Sequence, residues 1–100
     1  MDYQIVLSPS ARADLRDIVR YISFDAPDKA FRFGQFLVSH TKVLARFPEL
    51  GRIVPEFEEA FIREIIVRSY RIVYRLDHSK HLIEVIRFWH AARGIPKIDD

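Results

Sequence analysis

The chain has no cysteine. That absence excludes disulfides and thiolate metal sites, and it suits a reducing cytosol, where the protein is expected to reside. Glycine is scarce. Gly34, Gly51 and Gly94 stand alone, so neither a phosphate-binding loop nor a dinucleotide fingerprint can be assembled. Long apolar runs are missing as well, and nothing is expected to span a membrane. The opening, MDYQIVLSPSARADL, is polar and carries Asp2 where a signal peptide would be basic, so none is expected. Histidine offers no metal signature: His78 and His81 share one turn, and His40 sits alone on a helix. No nucleophile elbow supports a Ser–His–Asp triad. Neither a metal nor a cofactor is expected.

What is present is a globular composition, 49% hydrophobic and 30% charged. One hundred residues make a single domain, 1–100, that buries roughly two-thirds of its unfolded surface. The net charge of +2 hides an asymmetry. Residues 1–60 hold eight Lys/Arg against nine Asp/Glu, whereas residues 61–97 hold eight against three. Asp99 and Asp100 then subtract two charges. The basic potential is concentrated in the C-terminal third, which favours anionic or acidic partners.

YQIVL, residues 3–7, predicts a short strand. Ser8 is a good N-cap, and Pro9 suits the first helical turn. Ala11, Leu15, Ile18, Val19 and Ile22 then fall at helical spacing, with Arg12, Arg16 and Arg20 forming a solvated row. Asp25 or Pro27 ends this helix. A second runs from about Pro27 to Phe47, with Ala30, Phe33, Leu37, Thr41, Leu44 and Phe47 as its stripe. FPELG stops it, because Pro48 cannot continue a helix and Gly51 can turn. Residues 51–60 read as an acidic loop. Strands follow at 61–68, 70–76 and 81–89, joined by short turns, and residues 90–100 form an irregular tail. The expected fold is α+β: an N-terminal strand and a helical hairpin packed on a small twisted sheet with a C-terminal three-stranded antiparallel meander. The N-terminal strand pairs either at the sheet edge or inside it.

Within RSYRIVYR, residues 68–75, alternation puts Tyr70, Ile72, Tyr74 and Leu76 on the core face and Arg71, Val73 and Arg75 on the other. The arginines are therefore expected together on an open, positive sheet face or at its rim. Arg63, Arg68, Arg71, Arg75, Arg87, His90 and Arg93 interleave with Tyr70, Tyr74, Phe88 and Trp89. Arginine forks bind carboxylates or phosphates in bidentate geometry. Glu64, Asp77 and Glu84 count as too few to neutralise the cluster. Arg63, Arg71, Arg75 and Arg87 are the expected partner-binding residues.

ARADLRDIVRYI, LARFPELGR, REIIVRSYRIVYRL and IEVIRFWHAAR, in this order, resemble the RelE/ParE toxin superfamily of bacterial type II toxin–antitoxin modules. The resemblance spans roughly residues 3–93 and implies a single α+β toxin domain. It implies neutralisation by a cognate antitoxin, with operator DNA bound only through that antitoxin. An amphipathic antitoxin helix is expected against the helical hairpin, with an acidic segment on the C-terminal basic patch. Two activities occur in the superfamily: ribosome-dependent mRNA cleavage in the RelE-like branch and poisoning of DNA gyrase in the ParE-like branch. In a RelE-like centre, Arg68, His90 and Arg93 would be the catalytic residues. Residues 48–62 hold no lysine and nothing after Trp89 is tyrosine, so the cation set for phosphoryl chemistry is thin. The H.AR ending resembles the ParE-like branch, and a plasmid-stabilisation toxin poisoning gyrase is the expected function.

Overall fold

Ser8 and Pro9 start the first helix where the sequence places it. The Ser8 hydroxyl accepts the Ala11 N–H at 3.0 Å, closing the N-terminus of α1 (Pro9–Ser23). The structure, a computed structural model, describes residues 2–98. Strand β1 (Gln4–Leu7) precedes α1, and α2 (Pro27–Thr41) follows it. Strands β2 (Arg52–Ile53), β3 (Ile62–Val67), β4 (Tyr70–Asp77) and β5 (Leu82–His90) complete the sheet. Its order is β1-β5-β4-β3-β2. β1 takes an edge and runs parallel to β5, while the other pairings are antiparallel.

The two helices form a layer against one sheet face. Gly34 lets them approach closely, since a Cβ there would meet Val19 Cγ2 at 2.9 Å. Beneath them Ala11, Leu37 and Leu44 bury against Ile72, Tyr74, Leu76, Ile83, Val85 and Phe88. The predicted core face of β4 is the observed one. α2 ends at Thr41, short of the expected Phe47, and its last turn tightens into a 3₁₀ segment, Lys42–Ala45. Ser39 and Thr41 hydroxyls donate to the carbonyls of Phe36 and Val38, each at 2.7 Å, and such back-bonds compete with the helix. Phe47 consequently leaves the stripe and is 54% exposed.

The expected loop 51–60 contributes β2, and the expected tail contains a 3₁₀ turn, Ala91–Arg93. The end of that tail, Asp99 and Asp100, lies outside the described residues. FPELG, which follows the 3₁₀ segment instead of ending α2, has a different task. The Tyr74 hydroxyl donates to the Pro48 carbonyl at 2.7 Å and accepts the Gly51 N–H at 3.0 Å. A Cβ on Gly51 would sit 2.6 Å from the Glu64 carbonyl, so only glycine lets the chain pass over β3 here. The motif that signals the family is thus a latch between the loop and the central strand.

The second sheet face overturns an expectation. It is not open. Val54, Ile62, Val73 and Ile86 form a second apolar cluster, joined by Phe57 and by Ile98 from the tail. Val73 is fully buried. Burying each such side chain contributes about 1.5–3 kcal/mol, which is why the loop and the tail fold over this face.

Candidate functional site

Arg71 lies under that cover, so its expected place on a solvent-open face is corrected. Its side chain is 9% exposed and that of Glu64 is 0% exposed. Arg71 Nε donates to Glu64 Oε1 at 2.6 Å, and its two terminal nitrogens reach Glu56 at 2.9 and 2.7 Å. Further bonds go to Glu64 Oε2 and to the Gly94 carbonyl, each at 3.2 Å, so all five guanidinium N–H groups have acceptors. Arg52 closes the network on Glu64 at 2.8 Å. Hydrogen bonds donated to Glu56, then to Glu64, raise the Arg71 pKa further, which fixes its charge. The hydrogen bond from Arg71 holds the Glu56 carboxyl below its ordinary value. Its stabilising contribution is present at neutral pH and is lost as pH falls through that lowered pKa.

The other strand arginines are engaged as well. Arg87 forks Asp14 of α1 at 2.8 and 2.7 Å and donates to the Lys97 carbonyl at 2.7 Å. Arg75 pairs with Glu84 at 3.0 Å and keeps partial solvent exposure. Arg63, half-buried, donates to the carbonyls of Ala60 and Gly51 at 3.0 Å each. Thus the four expected partner-binding residues spread over two interior networks and the sheet margin, and do not form one open patch.

The three candidate catalytic residues gather at one end of the sheet, where Tyr70 of β4 pairs with His90 of β5. His90 and Arg93 share a cavity of about 500 Å³ with Asp17, Tyr21 and Tyr70. Arg68 lines the neighbouring cavity instead. His90 Nδ1 accepts the Ala92 N–H at 3.1 Å, which leaves Nε2 as the protonated nitrogen of a neutral ring. The His90 ring meets Tyr70 edge-on at 5.1 Å, and burial pushes the Tyr70 phenol pKa up. The Arg93 guanidinium lies 3.8 Å from the Trp89 ring centroid. A histidine, a carboxylate, a phenol and a guanidinium can hold an anion or exchange a proton here.

Sequence reasoning missed Asp17 and Tyr21 of α1, and Lys29, Arg32 and Phe36 of α2 that surround Arg68. KAFRF, residues 29–33, does interleave cations with rings, but only the hairpin packing brings it to the β3–β4 turn. Among the described residues no helix is long and apolar enough to cross a membrane, and no cluster of His, Cys, Asp or Glu could hold a metal ion.

A family model described as ParE toxin of type II toxin–antitoxin system, parDE, matches residues 5–95. Toxin RelE2 of Caulobacter vibrioides is 35% identical over 91 residues, covering 90% of this chain and 97% of that protein. The chromosomal ParDE system of P. aeruginosa superposes with a TM-score of 0.74 at 21% identity, over 88% of this chain and 95% of that one. The RelBE2 toxin–antitoxin complex of Mycobacterium tuberculosis gives 0.67 at 23% identity, over 90% and 99%. These two structures share the fold: two helices on a five-stranded mixed sheet. The chain belongs to the RelE/ParE superfamily, as a ParE-family toxin of a type II toxin–antitoxin system.

Proposed function

We propose that the chain is a ParE-like toxin that binds and poisons DNA gyrase and is neutralised in the cytoplasm by a cognate antitoxin. The whole chain acts as one toxin domain. The observation that carries this reading is that the nuclease candidates do not share one cavity: Arg68 lines one, His90 and Arg93 another. Arg71 cannot stand in for Arg68. A guanidinium saturated by two carboxylates has no donor left for a phosphorane, and each missing contact of that kind costs on the order of 100-fold in rate. The lysine-free acidic segment 48–62 supports the same reading. The structural neighbours from P. aeruginosa and M. tuberculosis are toxin–antitoxin systems, which supports an antitoxin partner. On this reading operator DNA is contacted only through that antitoxin. Its amphipathic helix fits the groove of about 480 Å³ between α1 and α2, lined by Leu15, Val19, Phe31 and Val38. Arg63 and Arg75 retain exposure for partner contact at the sheet margin.

The second reading is ribosome-dependent mRNA cleavage by Arg68, His90 and Arg93. It is favoured by the name of the Caulobacter relative and by the shared cavity of His90 and Arg93. Growth arrest on induction separates the two. His90→Ala and Arg68→Ala should arrest growth as fully as the parent chain, because a binding toxin performs no chemistry there. Lost arrest in variants with the parent's circular dichroism and melting temperature would transfer the assignment to the nuclease.

A further inference from the structure

Lys29 and Arg32 of α2, Ile22 of α1 and Arg68 of the β3–β4 turn line a cavity of about 440 Å³ floored by Phe33 and Phe36. No acidic residue lines it. Among the described residues, none of these three cations has a carboxylate within ion-pair distance, whereas Arg52, Arg71, Arg75 and Arg87 all do. A group of cations without carboxylate partners is therefore left on the helical side of the molecule.

Arg68 is held for a ligand by two features. Its guanidinium lies 4.7 Å from the Phe36 ring centroid, and such stacking fixes the plane while leaving the N–H edges to bind. Its backbone has φ 53° at the first place of the two-residue turn between Val67 and Tyr70, where glycine is the favoured occupant. An arginine kept in the left-handed region trades turn stability for the position of its side chain.

The rings indicate which anion fits. Phe33 stacks on Phe36 at 6.1 Å, and Phe33 also meets Tyr70 at 5.8 Å. Phe36 further meets His40 at 4.4 Å and lies under Arg68. The ring faces are already taken, so the floor offers apolar contact and no platform for stacked bases. We propose that this pocket docks an acidic peptide segment of the antitoxin. Arg68 forks one carboxylate, Lys29 and Arg32 take another, and an apolar side chain between them rests on Ile22 and Phe33. The inference builds on the reading of the chain as a toxin held by a protein antitoxin.

The test titrates the full chain with a short synthetic peptide of alternating glutamate and leucine. The comparison probes are its glutamine isostere and single-stranded oligouridylate. The acidic peptide should bind, and added salt should weaken it. Arg32→Glu should weaken it at least about tenfold. Arg68→Gly should weaken it comparably while the melting temperature holds or rises, because glycine suits the turn. Arg12→Glu, an equal charge change on the solvated face of α1, should leave affinity within about twofold. Unchanged affinity in Arg32→Glu and Arg68→Gly, equal weakening by Arg12→Glu, or tighter oligouridylate binding at the same residues would each overturn the proposal. A chain that poisons gyrase but ignores the peptide loses this inference alone. One that binds the peptide and leaves gyrase untouched loses the target reading alone.

Discussion

Glu64→Ala should lower the melting temperature by at least about 12 °C. Glu64 is fully buried on β3 and accepts from Arg71 at 2.6 and 3.2 Å and from Arg52 at 2.8 Å. Its removal strands a buried guanidinium with Glu56 as its remaining carboxylate partner. Breaking a buried pair in this way costs about 3–5 kcal/mol. For a domain of this size each kcal/mol shifts the midpoint by about 4–8 °C. The second truncation should be partly self-correcting. In Glu64→Ala/Arg71→Met the stranded charge is gone, and an apolar side chain can join Val73 and Ile86, so much of the loss should return. A single variant within about 4 °C of the parent, or a double variant no better than the single, would contradict this account of the network.

Asp14→Ala should cost about 3 kcal/mol in urea unfolding, with an unchanged slope. Asp14 lies on α1, yet its work is at the sheet. β1 pairs with β5 only from Leu82 to Val85, and β5 continues to His90. Past the end of β1, α1 and its N-cap Ser8 supply the missing partners. The Ser8 N–H donates to the Val85 carbonyl at 2.9 Å, and the Asp14 carboxylate accepts the Phe88 N–H at 3.0 Å along with the Arg87 fork. Alanine would orphan a buried backbone donor and remove the carboxylate fork from a largely buried arginine. The amide of Phe88 should then exchange faster with solvent, while that of Ile65, deep in the β3–β4 ladder, falls only with global stability. A loss below about 1 kcal/mol, or a Phe88 amide protected as in the parent, would show that the edge is held by other means.

The order of elements was legible because each signal was local. Ser8–Pro9 caps a helix, and alternation in YRIVY sorts Tyr70, Ile72 and Tyr74 from Arg71 and Val73. The cover over the second sheet face was not. Alternation says which side chains share a face and nothing about what folds over it. The charge ledger failed for a related reason. It was kept segment by segment, and the ion pairs cross segments: Arg87 finds Asp14 73 residues away, and Arg71 finds Glu56 at 15. Part of the C-terminal surplus of cations is neutralised by Asp14 of the N-terminal helix and Glu56 of the acidic loop. The same ledger hid the basic pocket, because Lys29 and Arg32 lie in a half of the chain with no positive excess. Gly51 read as a turn residue, whereas its use is the close passage over Glu64 and Tyr74.

On the proposed reading the chain is a toxin that works by holding a large target, with Arg71 and Arg87 of its sheet engaged in the fold. The measurement closest to that claim is DNA supercoiling by purified gyrase as the chain is titrated in, beside the integrity of ribosome-bound mRNA at the same concentrations. Supercoiling should fall with dose while the mRNA stays whole. Undiminished supercoiling together with codon-specific cuts in the message would contradict it.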